Sequence, residues 1–171
     1  SLAAVAHINP AGRPVRGPDG GAIVTEVWAF GRLPLSFSAR CFTARQASVP
    51  KDQCGYPCMD DPDGRLVRST EGQSFLVLNG TQIQSAGVHN LLEHDAALAS
   101  CGATRVRLSP QSSGFTKVIE DFDAVLNGDQ PAEGRLAGWA EAGVPHPLVT
   151  GYAFGGAGMN AVQAEVAGVD A

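Results

Sequence analysis

Apolar positions along this chain fall into short runs and one long stripe. Ile23-Val24-Thr25-Glu26-Val27-Trp28-Ala29-Phe30 is mostly apolar and rich in β-branched residues, the pattern of a strand buried on both faces. Phe75-Leu76-Val77-Leu78-Asn79, closed by Gly80, predicts a second strand, and Thr104-Arg105-Val106-Arg107-Leu108 a third. Between the last two, Val88, Leu91, Leu92, Ala96 and Ala99 recur at helical spacing, with Gly102 as a C-cap. Phe115, Val118, Ile119, Phe122, Val125 and Leu126 form one stripe of a further helix, stopped by Gly128.

The order strand, long loop, strand, helix, strand, helix predicts an α/β fold with parallel strands and right-handed crossovers. Sites in such folds gather at the carboxyl ends of strands. Three segments are therefore expected to share a face: the one leaving at Gly31, Asn79-Gly80, and Ser109-Pro110-Gln111. From Gly31 to Thr70 the sequence predicts a long loop, ending in the turn Asp61-Pro62-Asp63-Gly64. Past Gly128 no regular element is predicted; Gly151 to Gly158 reads as loop, and 153–171 as a flexible tail.

Composition narrows the class. With 171 residues, 44% hydrophobic and 17% charged, the chain suits one globular domain. No apolar run approaches the roughly 20 residues needed to span a bilayer. A net charge of −5 argues against a partner held by non-specific contacts to nucleic acid. The opening Ser1-Leu2-Ala3-Ala4-Val5-Ala6 has no basic region and is too short for a secretory signal. It reads as a helix truncated at its start, in the carboxyl-terminal part of a longer protein, with the cytoplasm as default compartment.

The candidate chemistry lies in the long loop. Cys41, Cys54 and Cys58 are separated by twelve and then three residues. Clustered thiols without a secretory signal point to a metal or an iron–sulfur cluster. A zinc site completed by a histidine, or disulfides among the three, are the alternatives. Zinc and iron–sulfur sites both take four ligands. The fourth cysteine, Cys101, precedes the third strand, at the end of the sheet opposite the loop, and reads as a small buried hydrophobe. The missing ligand would then come from upstream sequence, a partner or an exogenous group. His7, His89, His94 and His146 are scattered; His89 and His94 fall on the first predicted helix, as surface or helix–strand contacts.

Arg32, Arg40, Arg45 and Lys51 fall around Cys41, although the chain holds only 12 Lys and Arg. They would offset the charge of a thiolate-ligated cluster, or be ordinary solvated charges. Glu26, inside the first strand, is either the partner of a nearby arginine or a residue pointing into a site. No P-loop, dinucleotide fingerprint or G-x-S-x-G is present.

These residues carry a resemblance. Gly31-Arg32-Leu33-Pro34-Leu35, Ser38-Ala39-Arg40-Cys41-Phe42-Thr43-Ala44-Arg45, Pro50-Lys51-Asp52-Gln53-Cys54, Cys58, Phe75 to Gly80, Asn90-Leu91 and Val106 to Gln111 resemble the UbiV family. That family is a branch of the collagenase-like peptidase superfamily, as is UbiU. The resemblance implies the second half of a TIM-barrel-like fold. It also implies a 4Fe–4S cluster held by four cysteines, with Cys41, Cys54 and Cys58 matching the last three and Cys101 without a counterpart. It further implies a UbiU-like partner, a lipid-binding accessory protein, and a role in oxygen-independent ring hydroxylation for ubiquinone. Arg40 and Arg45 become candidates for positions behind the ligands or beside an anionic substrate, with Glu26 a third. An RNA-base hydroxylase or a peptidase of the same superfamily, and a zinc-stapled scaffold, are the rival readings. The stretch after Gly155 does not resemble the family's end.

Overall fold

The computed structural model describes residues 1–161, so the later part of the 153–171 segment lies outside the described residues. Its centre is a six-stranded mixed sheet. In chain order the elements are α1 (Leu2–Ile8), β1 (Glu26–Phe37), α2 (Phe42–Gln46), β2 (Arg65–Arg68), β3 (Ser74–Asn79), β4 (Gln82–Asn90), α3 (Asp95–Ser100), β5 (Arg105–Leu108), α4 (Phe115–Leu126), α5 (Ala137–Glu141) and β6 (Leu148–Val149). The strand order is β2-β3-β4-β1-β5, with β6 also on β4.

The expected α/β class is what forms, but the pairing is not parallel throughout. β1–β5 and β4–β6 run parallel, while β2–β3, β3–β4 and β1–β4 run antiparallel. The cause is a hairpin. Asn79 pairs with Gln82 across the two-residue turn Gly80-Thr81, and Gly80 takes φ +61°, the left-handed conformation such turns require. The chain therefore turns straight back into β4. Gln82–Asn90 is strand where part of a helix was expected, and only Asp95–Ser100 is α-helical.

The predicted loop from Gly31 is also shorter than expected. β1 continues to Phe37, and its burial changes along its length: the half up to Gly31 is largely buried and the half after it is mostly exposed. Pro34 is tolerated in the second half because the register shifts on both sides of it, and bulges are where strands accept a residue without an N–H. β5 pairs only with Glu26 to Phe30. Beyond that point β1, β4, β3 and β2 form an arm that leaves the core.

The core gathers where the arm is rooted. Val27, Ala29 and Phe30 of β1, Val88 of β4, Leu91, Leu92 and Leu98 pack with Val118, Phe122 and Val125 of α4 and with Trp139. Phe30 is fully buried and meets Trp139 edge-on at 5.3 Å and Phe122 at 6.4 Å between ring centroids, contacts worth about 0.5–1.5 kcal/mol each beyond burial. The predicted stripe of α4 holds for Val118, Phe122 and Val125, whereas Ile119 stays 44% exposed on its flank. Between Gly128 and residue 161 regular elements form where none was expected: α5 buries Trp139, β6 extends the sheet, and a 3₁₀ turn, Gly151–Phe154, buries Ala153.

Cys101 is buried in this core, its thiol donating to the Leu98 carbonyl at 3.2 Å. His89, expected on a helix, is instead buried on β4 opposite Gly31 and Val149. Burial pushes its pKa from 6.5 down to about 4, a hydrogen bond with the Trp28 backbone opposes this, and repulsion from His94 adds to it. An unfolded histidine takes up its proton near 6.5, whereas the folded one stays neutral to about 4. Stability from this group is thus complete above pH 6.5 and is lost as pH falls towards 4, by about 3 kcal/mol in total. Urea unfolding at pH 7.5, 5.5 and 4.5 is expected to show that decline, and His89→Leu to flatten it.

Candidate functional site

The arm carries the cysteines. Ser38 donates its N–H to Thr81 O at 2.8 Å and Phe42 to Gly80 O at 2.8 Å, while Gly80 donates to Thr43 Oγ1 at 3.2 Å. Two bonds therefore tie the start of α2, and a third ties Ser38 just past the end of β1, to the tip of the β3–β4 hairpin. Thr43 and Ala44 are buried there, and α2 packs against β3. Cys41 is the N-cap residue of α2, its Sγ accepting from Ala44 N at 3.4 Å.

From α2 the chain passes through two 3₁₀ turns, Lys51–Gln53 and Pro57–Asp60. Cys54 lies between them and Cys58 within the second. That second turn packs beside α2, and a brace closes the segment: Arg65 donates to Asp61 Oδ2 at 2.9 and 2.5 Å and to Gln46 Oε1 at 2.8 Å. The end of the cysteine segment is thereby fastened to the end of α2. The ion pair is exposed, so its value is positional; exposed pairs contribute about 0–1 kcal/mol. Farther on, Asp63 accepts from the backbone N–H of Ser112 at 2.8 Å and from its hydroxyl, joining the segment to the chain leaving β5.

Cys41, Cys54 and Cys58 are all free thiols and all partly exposed; Cys101 is free and buried. The expected separation of Cys101 from the others is present. It precedes the amino end of β5, which pairs with the start of β1, whereas Cys41 follows the far end of that 12-residue strand. At about 3.3 Å per residue β1 spans roughly 35–40 Å.

Arg40 and Arg45 are exposed, and their guanidinium groups make no hydrogen bond or ion pair among the described residues. The side chain of Lys51 is outside what the structure describes. Arg32 is directed elsewhere, donating to the backbone carbonyls of Ser85, at 3.1 Å, and Ala86. Glu26 takes the ordinary reading: it pairs with Arg107 at 2.6 Å, at the opposite end of β1 from Cys41. His94 packs against Phe154, with ring centroids 4.8 Å apart and the planes tilted by 59°, and has no place beside the cysteines.

The donors suit a soft metal centre in kind, being three unpaired thiols on one braced segment. Among the described residues no three Cys, His, Asp or Glu side chains converge as a ready metal site.

The three segments expected to share a face do so. Arg32, Asn79, Ser109 and Gln111 line one small cavity, and a Cβ on Gly31 would lie 2.5 Å from Ser109 Cβ. The chain reaches this arrangement through the hairpin arm and not through the expected crossovers. Sequence reading passed over Gln84, which lines the same cavity from β4; the Gly80-Thr81 turn was the available signal for that strand. No helix among the described residues is long and apolar enough to cross a membrane. No protein-family model matches the chain, and no solved structure matches it.

Proposed function

We propose that this chain is part of a UbiV-like iron–sulfur protein that acts with a UbiU-like partner in oxygen-independent ring hydroxylation for ubiquinone. A lipid-binding accessory protein would serve the same assembly. The observation that carries the reading is the set of free, partly exposed thiols at Cys41, Cys54 and Cys58 on one braced segment, in the sequence context that resembles that family. Those three residues would hold a 4Fe–4S cluster, with a fourth thiolate from outside this chain. When bound, the cluster supplies electron transfer.

The chain's own residues would do the rest. The ties from α2 to the hairpin tip fix Cys41, and the Arg65 brace holds the segment carrying Cys54 and Cys58 beside it. Arg40 and Arg45, exposed and unpaired among the described residues, would offset the charge of the thiolates or meet an anionic partner. In this reading β1 and β5 are neighbouring parallel strands of a barrel-like sheet, and β2 to β4 form an arm that the sequence inserts between them and that pairs on the other side of β1.

The natural full-length protein, purified without oxygen, is expected to be brown and to hold about four irons. Cys41→Ala, Cys54→Ala and Cys58→Ala should each remove most of the iron, while Cys101→Ser leaves it unchanged. Stoichiometric zinc without a visible absorption band would show a stapled scaffold instead. A strain lacking the gene should fail to make ubiquinone without oxygen and make it normally in air. Normal anaerobic quinone together with a missing hydroxyl on an RNA base would assign the protein to nucleotide modification.

A further inference from the structure

At the root of the arm a polar cavity of about 50 Å³ lies between Arg32 of β1, Asp63 at the end of the cysteine segment, Asn79 and Gln84 of the hairpin, and Ser109 and Gln111 beyond β5. No cysteine lines it. Its hydrogen-bonding groups are unevenly spent. Arg32 uses Nη1 on two carbonyls and has no ion pair among the described residues. Asp63 is occupied on both oxygens by Ser112. Asn79 donates to Pro62 O at 3.3 Å and Gln84 to Gln82 Oε1 at 2.7 Å, but neither amide oxygen accepts from a donor among the described residues. Both amide atoms of Gln111 are shielded from water and have no partner there. Leaving such groups unpaired costs about 1–3 kcal/mol each.

This inventory selects a ligand chemistry. The Gln111 oxygen, shielded from water, calls for a donor and the water-accessible oxygens of Asn79 and Gln84 can take one, while Arg32 and the Gln111 NH₂ call for an acceptor. An anion only accepts, so it would leave the shielded Gln111 oxygen unanswered and sit beside Asp63. A cation would leave Arg32 unanswered. An uncharged group with N–H beside C=O answers both sides. At about 10–15 Å³ per water-sized sphere, the cavity has room for roughly three or four such atoms, the size of one N–C=O unit.

We propose that this cavity binds the primary-carboxamide end of a small molecule, with the remainder of the molecule outside. Gln111 turns its amide toward the cavity as the ligand enters and pairs with it through both atoms. Arg32 donates to the ligand carbonyl, and Gln84 accepts from the second N–H. The site stands apart from the iron–sulfur reading and does not depend on it.

Acetamide and acetate have the same shape and differ in charge, which makes them the test. The ¹⁵N-labelled full chain is titrated with each while the side-chain NH₂ signals of Gln111 and Gln84 are followed. Acetamide is expected to shift both signals in a saturable way, and acetate to leave them in place at equal concentration. Gln111→Leu should weaken acetamide binding at least tenfold. Should that variant fail to fold, Gln84→Leu removes one acceptor and is expected to weaken binding by about the same factor. No saturable shift with acetamide would mean that the cavity holds water alone and would overturn the proposal. Acetate binding as tight as acetamide would overturn it too, as would unchanged affinity in the folded variant.

Discussion

Replacing Asp121 by Ala is expected to destabilise the protein by about 3–5 kcal/mol, a large fraction of the roughly 5–15 kcal/mol that holds a typical domain folded. Asp121 is 1% exposed on α4 and is the shared acceptor for three donors. Lys117 Nζ donates to its two oxygens at 2.7 and 2.8 Å, Arg135 Nη1 at 2.9 Å and Trp139 Nε1 at 2.8 Å. Removing the carboxylate leaves the indole N–H unpaired inside the core and two cations without their counter-charge. It also cuts the polar link between α4 and α5. Burial alone would raise the pKa of this carboxyl, but the hydrogen bonds from Lys117, Trp139 and Arg135 outweigh it and hold the pKa below its ordinary value. Its contribution is therefore present above about pH 3.9 and is lost as pH falls through the lower folded value. Intrinsic fluorescence in a urea titration reads the loss directly, because Trp139 is fully buried against this group. Asp121→Asn, which keeps the shape and one acceptor, should recover part of it. An unchanged midpoint in Asp121→Ala would show that the network is not a determinant of the fold.

Gly31→Ala is expected to cost about 2–4 kcal/mol. The residue sits at φ +115°, which strains any side chain by roughly 1–3 kcal/mol, and the added methyl would meet Ser109 Cβ at 2.5 Å. Relief requires β5 and β1 to separate where Ser109 donates its N–H to Phe30 O at 2.9 Å. Pairing with Ser109→Gly removes the clash and leaves the backbone strain. The double variant should therefore recover some, but not all, of the lost stability in thermal melts. Full recovery, or none, would contradict the division into contact and strain.

How much of this was legible in the sequence depends on the period of each segment. The stripe of α4 was readable because one face is buried and burial imposes a period. By contrast, β3 and β5 were readable from their aliphatic and β-branched residues, although β3 buries only Val77 and β5 no residue. β4 was misread because Gln82-Ile83-Gln84-Ser85-Ala86-Gly87 lies in the half-exposed arm, where neither face is strongly apolar. The spacing of Val88, Leu91 and Leu92 then looked helical, although these residues belong to a strand end and the turn that follows it. α5 is too short to show a period, and a single tryptophan carries its burial. The buried place of Cys101 and the pairing of Glu26 with an arginine were both open to sequence reasoning, since each follows from position along a strand. The internal ligand demand around Gln111 was not, because it depends on which bonds its neighbours have already made.

β1 belongs to two bodies at once. Its first half is locked between β4 and β5 inside the hydrophobic cluster, and its second half leaves that cluster carrying the arm. Val77 and Ala44 are buried within the arm, yet they lie outside the main cluster. Regions with few contacts to the main core open at lower free energy than the whole molecule unfolds. The arm is therefore a unit of partial unfolding, able to loosen while Phe30, Trp139 and α4 stay packed. A change that loosens the hairpin is therefore expected to alter the surroundings of the three thiols while leaving the midpoint of the core in place.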